Sequence, residues 1–315
     1  MHVAVIGAGM AGLACASRLR DAGHRVSLFD KGRGPGGRMS TRRLEVGGIT
    51  VQFDHGAQYF TVRDPAFASQ VEAWQRDGIA ARWEPGGPDA WVGTPGMNAP
   101  VRAMAERLGV AFSSRVETVR REGNGWILAG ENLPEHSFDC LVIAVPAEQV
   151  GPLVANHHRP WAELASHTVS APCWTLMLAF ESPLDFAPDT IRGSGAIGWA
   201  ARNSSKSQRG ATECWVVQAD PDWSAAHLEE EGETISLLLL AALSAAVGAP
   251  LPPVLAKSAH RWRYARSGSA GLGHVWDTDK RLGLCGDWLL APRVEAAYLS
   301  GLGLADAMLG DIFGA

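Results

Sequence analysis

The chain has 315 residues, and at about 150 residues per domain that length predicts two domains. It is 46% hydrophobic and 19% charged, enough to bury a sizeable core and too apolar for a disordered chain. The formal net charge of −5 argues against a general nucleic-acid binder, which would carry a basic surplus.

The five cysteines (15, 140, 173, 214 and 285) are scattered and odd in number, with no C-x-x-C pair. Neither a disulfide framework nor a metal site is expected, and a reducing cytoplasm is the expected compartment. The longest apolar run, Leu237 to Val247, is too short for a bilayer and reads as a buried helix. The apolar N-terminus has no basic region before it, so no signal peptide and no membrane association are expected.

The first forty residues carry the densest signal. His2–Ile6 is a short apolar strand, followed at once by Gly7-Ala8-Gly9-Met10-Ala11-Gly12. A helical pattern (Leu13, Ala14, Ala16, Leu19) stops at Ala22-Gly23, and a second strand, Arg25–Phe29, ends at Asp30. This is strand, glycine turn, helix, strand and acid in about 30 residues. Gly7 permits the tight turn, Gly9 lets a pyrophosphate approach the backbone, and Gly12 lets the helix pack on the strands. The helix N-terminus offers free N–H groups to phosphate. Asp30 can accept both ribose hydroxyls of an adenosine, and its charge disfavours a 2′-phosphate.

Lys31-Gly32-Arg33-Gly34-Pro35-Gly36-Gly37-Arg38 then follows, where a plain NAD-binding unit would run toward another helix. Such a loop can lie against a pyrophosphate, with Arg38 supplying charge. Asp30-Lys31, Gly36-Gly37-Arg38 and Thr41 together resemble the second glycine motif of the FAD-dependent amine oxidase superfamily. Phe53-Asp54-His55-Gly56-Ala57-Gln58-Tyr59-Phe60-Thr61 and Trp199-Ala200-Ala201-Arg202-Asn203-Ser204-Ser205-Lys206 narrow the resemblance to bacterial renalase-like proteins.

The resemblance implies an α/β fold. It combines a Rossmann-like FAD-binding domain carrying an inserted β-meander with a mixed or antiparallel-sheet α+β substrate domain. Residues 1–61, 95–150 and 277–315 would form the first, and 62–94 and 151–276 the second. A helix opens at 95–100. The meander is read at Val110–Phe112, Arg115–Arg121 and Trp126–Ala129, the last two around an Asn-Gly hairpin signal. Val116 is the position matching the family's adenine contact. Phe138–Pro146, a buried strand ending in a turn, would return the chain to the nucleotide sheet and bring Val145 and Pro146 near the cofactor.

From 150 to 270, prolines alternate with strand-like runs at Trp174–Phe180, Ala196–Ala200 and Thr212–Ala219, with a covering helix around Ile235–Val247. The tryptophans there read as core or as walls for a flat aromatic substrate. Lys257–Tyr264 reads as a strand, and its His260 as a structural or a site histidine. In the tail, Gly286-Asp287 follows a strand and Val294-Glu295 opens the last helix. The resemblance assigns Gly286 and Asp287 to the ribityl–pyrophosphate side of FAD, and Val294 and Glu295 to the helix end facing the flavin.

His55, Gly56 and Ala57 would also touch the cofactor. Gln58, Tyr59 and His260 are the candidates for the reacting end, and Trp199, Arg202, Trp262 and Trp288 for the substrate wall. Cys285 precedes the Gly-Asp pair, so non-covalent FAD is expected. The implied reaction is oxidation of 2- or 6-dihydro-NAD(P) to NAD(P), with O2 reduced to hydrogen peroxide. The alternatives are an amine oxidase, a porphyrinogen or carotenoid oxidoreductase, and a flavin-free binding module like the GDP-dissociation inhibitors. Nothing in the sequence specifies an oligomer.

Overall fold

The computed structural model describes residues 1–313. In chain order it begins with β1 (His2–Ile6), α1 (Met10–Asp21), β2 (Arg25–Phe29), β3 (Thr41–Val46), β4 (Ile49–Asp54) and β5 (Phe60–Thr61). Then come α2 (Pro65–Arg76), β6 (Ala80–Arg82), β7 (Ala90–Gly93), α3 (Ala99–Leu108), β8 (Val116–Glu122), β9 (Gly125–Gly130) and β10 (Cys140–Ile143). Two helices, α4 (Ala147–Val154) and α5 (Arg159–His167), lead to β11 (Ala171–Phe180), β12 (Thr190–Ser194), β13 (Ile197–Arg202) and β14 (Glu213–Ala219). The chain finishes with α6 (Pro221–Ala226), α7 (Gly232–Val247), β15 (Val254–Arg266), β16 (His274–Asp277), β17 (Leu282–Cys285) and α8 (Val294–Phe313).

Two five-stranded sheets dominate. The first has the order β16-β17-β10-β1-β2, parallel except for β16. Its central strands are buried on both faces, which is why their sequences are continuous apolar runs (VAVI, CLVI) with no alternation. Helices α1 and α8 lie on one face, with Leu13, Leu19, Leu304 and Met308 fully buried. The backbones meet closely: a Cβ on Gly301 of α8 would lie 2.0 Å from the Ala11 carbonyl oxygen.

The second sheet is antiparallel, in the order β12-β13-β14-β11-β15. The two-residue period of β11 sorts its side chains. Leu176, Leu178 and Phe180 face α7, where they meet Ile235, Leu239 and Leu243. Met177 and Ala179 face the β3–β4 hairpin and pack on Val46, Val51 and Phe53. Farther along that second face the sheet leaves the hairpin behind.

The region expected as a three-stranded meander has two strands, β8 and β9. Val110–Phe112 makes a single parallel bridge from Ala111 to Phe29, because Gly109 ends α3 in a left-handed turn and leaves only a short stretch against β2. The segment 62–94 divides its contacts. Phe67, Val71 and Trp74 join the core around α1 and α8, whereas Trp83 and Val92 pack against Ala201.

Candidate active site

A cavity of about 730 Å³ lies between the two sheets, within the usual ~300–1,000 Å³ of small-molecule and cofactor sites. Its inner wall is the turn after β1. Gly7 has φ +100°, and a Cβ there would sit 2.6 Å from the Ala144 carbonyl oxygen. Gly12 touches the same turn, with a Cβ position 2.0 Å from the Gly7 oxygen. Gly9 is different: it lines the cavity, and nothing lies within 4 Å of where its Cβ would be. Gly9 is the N-cap of α1, with no side-chain cap and no acid in the first turn. The first N–H groups of α1 are thus offered to an anion.

Asp30 closes the other end of the motif. Its carboxylate accepts from the backbone N–H groups of Ala8 and Gly32, each at 2.7 Å, which fixes its orientation beside β1. Lys31 reaches away to Gln149 at 2.8 Å.

The second glycine loop and the tail meet at a single ion pair. Arg38 donates both terminal nitrogens to Asp287, at 2.7 and 2.6 Å, and Ser267 adds a hydroxyl at 2.9 Å. Both partners line the cavity, with Gly36, Met39, Gly286 and Val294. Gly56 allows the next turn to press on this loop: a Cβ there would lie 2.1 Å from the Arg38 carbonyl oxygen, which accepts from Ala57 N–H at 2.8 Å. Glu295 is buried and holds the chain entering α2, its carboxylate accepting from Arg63 and Asp64 N–H at 2.6 and 2.8 Å. Its side chain is therefore structural; Val294 is the residue that meets the cavity.

The antiparallel sheet supplies the facing wall. Past the hairpin, the same pleat face presents Cys173, Gln218, Trp199 and Trp262 to the cavity, joined by Tyr59 from the turn after Ala57. Registration explains the grouping: Trp199 pairs with Gln218 and Cys173 with Trp262. Gln218 donates to the Gly56 carbonyl at 2.7 Å and Trp262 to the His55 carbonyl at 2.8 Å, tying this wall to the flexure of residues 55–57. Arg192 stacks on the Trp199 ring at 4.5 Å.

Beneath that turn is a buried charge cluster. Asp54, Lys206 and Arg209 all have fully buried side chains. Asp54 Oδ2 accepts from Arg209 at 2.7 and 3.1 Å and from Lys206 at 3.3 Å; Oδ1 accepts from Met97 N–H and Thr41 Oγ1, both at 2.9 Å. Gln58 accepts from Lys206 at 3.2 Å and donates to the Asp54 and Gly56 carbonyls. Burial alone would raise the Asp54 carboxyl, but Lys206 and Arg209 hold it below its ordinary range. Burial drives Lys206 the other way, to about 8. Next to the cluster, burial and then His260 and Arg42 push His55 down to about 4, so its imidazole is neutral at pH 7. The His55 ring stands edge-on to His260, 4.9 Å away.

A model of the family described as flavin containing amine oxidoreductase matches residues 82–309, and one for an NAD(P)-binding Rossmann-like domain matches residues 5–72. The chain belongs to the flavin-containing amine oxidoreductases. It is accordingly an FAD-dependent oxidoreductase, and the cavity fits that cofactor: an uncapped helix end and open glycine at Gly9, a carboxylate at Asp30, and the Arg38–Asp287 pair at the far side.

Among curated relatives, a 4,4'-diapophytoene desaturase of Staphylococcus haemolyticus is 45% identical over 76 residues, 24% of this chain and 14% of that protein. The same enzyme from Staphylococcus aureus is 48% identical over 56 residues, 18% of this chain and 10% of the relative. The matches thus span a small part of those proteins' length. Solved structures with the same fold include a putative protoporphyrinogen oxidase from Exiguobacterium sp. 255-15 (TM-score 0.77, 11% identity, 98% of each chain). A putrescine oxidase bound to putrescine gives 0.74 at 14% identity, covering 98% of this chain and 99% of that one. Cyclohexylamine oxidase from Brevibacterium oxydans IH-35A gives 0.68 at 10%, covering 99% of each.

Within this flavoenzyme the candidate residues separate. Gly9, Met10, Ala11, Arg38, Gly56, Ala57, Tyr59, Val145, Trp199, Trp262, Gly286, Asp287 and Val294 line the cavity. Gly7, Ala8, Gly12, Gly37 and Asp30 stand beside these lining residues in the two glycine motifs and do not themselves line the cavity. Gln58, His55 and His260 form the layer under Ala57 and Trp262. Val116 starts β8 and packs into the core beside the parallel sheet.

Arg202 does not face a substrate. It is held by Asp189 at 2.7 Å, Glu213 at 3.0 Å and the Phe186 carbonyl at 2.7 Å, because β13 turns its side chain to the face opposite Trp199's neighbour Ala201. Trp288 is likewise core, 1% exposed under the Gly286 turn. Sequence reading missed Gln218, Arg209 and the cavity arginines Arg63, Arg266 and Arg293; none stands in a recognisable motif. Among the described residues there is no metal-ligating cluster and no helix long and apolar enough to cross a membrane.

Proposed function

We propose that this flavoenzyme oxidises a dihydronicotinamide dinucleotide reduced at ring position 2 or 6, with O2 as the final acceptor. The observation that carries the reading is the charge state of the cavity wall. Its two carboxylates are already engaged, Asp287 by Arg38 and Ser267, and Asp220 by the N–H groups of Asp222 and Trp223 that it caps. A protonated amine would meet only the neutralised Asp287 and the N-capping carboxylate of Asp220, whereas a flat, neutral ring would meet Tyr59, Trp199 and Trp262.

In this reading residues 1–61, 95–150 and 277–315 hold FAD without a covalent link, and residues 62–94 and 151–276 receive the donor. Bound FAD supplies a two-electron acceptor, so that dihydro-NAD(P), O2 and one proton give NAD(P)+ and H2O2. The chain's task is to orient and to exclude water. Gln218 and Trp262, anchored on the Gly56 and His55 carbonyls, keep the wall parallel to the 55–57 turn. A dihydronicotinamide is electron-rich and loses hydride without a general base, which agrees with a His55–His260 layer whose burial makes both rings weaker bases than a free imidazole.

Anaerobic mixing of the holoenzyme with 2-, 4- and 6-dihydro-NAD, putrescine, and a porphyrinogen tests this. The 2- or 6-isomer is expected to bleach the flavin within seconds. Bleaching by the amine or the porphyrinogen alone would refute the reading.

A further inference from the structure

We propose that Arg63, Arg266 and Arg293 form a phosphate-binding rim at the mouth of the cavity, which takes the pyrophosphate of the hydride donor. This rests on the dihydronicotinamide reading above and specifies which part of that donor the protein grips.

Three separate segments deliver these arginines to one opening. Arg63 follows β5, Arg266 ends β15, and Arg293 immediately precedes α8; all three line the cavity and are exposed. Several arginines elsewhere on this chain are paired. Arg202, Arg209, Arg18, Arg107, Arg261 and Arg263 each hold a carboxylate within 3.0 Å. Among the described residues, the guanidinium groups of Arg63 and Arg266 have no carboxylate partner. Arg293 has only Glu295, at 3.9 Å, and the other oxygen of that carboxylate is occupied by Arg63 and Asp64 N–H.

The remaining carboxylates of the cavity are engaged as described above. In a protein of net charge −5, this one cavity thus gathers three exposed arginines that no close carboxylate pairs. Mutually repelling guanidiniums around one opening are stabilised by an anion. Their planar forks match phosphate oxygens in a bidentate manner and stay charged at any working pH. Tyr59, Trp199 and Trp262 are half-buried, whereas the three arginines are exposed. A donor with its ring between Tyr59, Trp199 and Trp262 would leave a phosphate-bearing tail at the rim.

The test compares holoenzyme and the triple variant Arg63→Gln, Arg266→Gln, Arg293→Gln. Two donors are used, 2-dihydro-NAD and the phosphate-free 2-dihydronicotinamide riboside, and ADP-ribose serves as a non-reducing probe. The wild-type KM is expected to be at least tenfold lower for the dinucleotide than for the riboside at low salt, and to rise with ionic strength. In the triple variant the dinucleotide KM rises about tenfold or more, with kcat and FAD content retained, and the riboside KM shifts less than twofold. Calorimetry is expected to show ADP-ribose binding to the wild-type holoenzyme and not to the variant.

Equal KM values for the two donors in the wild type overturn the proposal. So does loss of FAD from the variant, which would assign the arginines to the cofactor's own phosphates. Undiminished ADP-ribose binding by the variant also overturns it. If neither donor is oxidised while the calorimetric difference stands, the dihydronicotinamide reading fails and the anion rim remains.

Discussion

Asp54 shares one buried carboxylate between two buried cations, and the arithmetic of that site is lopsided. Replacing the anion leaves Lys206 and Arg209 uncompensated, whereas replacing Lys206 leaves an intact Arg209–Asp54 pair with three hydrogen-bonding anchors. Asp54→Asn is therefore expected to cost about 3–5 kcal/mol, the usual penalty for a buried charge that loses its partner. Lys206→Met is expected to cost less, about 1–2 kcal/mol, for the lost bonds to Gln58 and Asp54. Urea denaturation of the two variants checks the order; a larger loss in the lysine variant contradicts it.

His55 carries the pH dependence at the same scale. Its folded pKa, about 4, lies below the ordinary value of 6.5. Between those values the unfolded ring takes a proton that the folded ring refuses. Its contribution is thus fully present above pH 6.5 and is lost as pH falls toward 4, up to about 3 kcal/mol. Stability measured at pH 7 and 4.5 should fall less in His55→Gln than in the parent; equal slopes would mean that other groups carry the acid sensitivity.

At the scale of elements, the turn from β1 into α1 separates packing from binding within six residues. Gly12 has no room for a methyl group, because the Gly7 carbonyl oxygen stands 2.0 Å from its Cβ position, whereas Gly9 faces open space. Gly12→Ala should fail to fold or lose several kcal/mol. Gly9→Ala should fold with near-parental far-ultraviolet circular dichroism yet bind FAD at least tenfold more weakly, since its methyl group enters the phosphate position. Absorbance at 450 nm relative to 280 nm after gel filtration reads the difference. A yellow Gly9→Ala protein with parental affinity would place the pyrophosphate elsewhere. The start of α8 works similarly by division of labour: Glu295 holds the chain entering α2, and its neighbour Val294 meets the cavity.

Across the whole molecule, the cavity is an interface between two sheets of different construction, crossed by few covalent connections and by the Arg38–Asp287 and Trp262–His55 contacts. A ligand lodged there bridges both halves. FAD at 100-fold over its Kd is expected to add about 2.7 kcal/mol and raise Tm by about 5 °C; identical scanning curves with and without FAD would mean that the folded chain does not take the cofactor up.

Local sequence by itself determined the strand–glycine–helix–acid unit, four of the five strands of the antiparallel sheet (not the edge strand β12) and the glycine-bearing turns. These features are encoded in periodicity and backbone sterics over short windows. It also offered two distant strings, 53–61 and 199–206, without saying why they belong together. Only the tertiary structure joined them, by seating Asn203 on Gln52 and Lys206 on Asp54. It also paired Arg202 with Asp189 and Glu213, packed Trp288 into the core and brought Arg63, Arg266 and Arg293 to one cavity. Which face of a strand a side chain occupies, and which charges remain unpaired, depend on strand register and on partners hundreds of residues away. A linear pattern holds no such information.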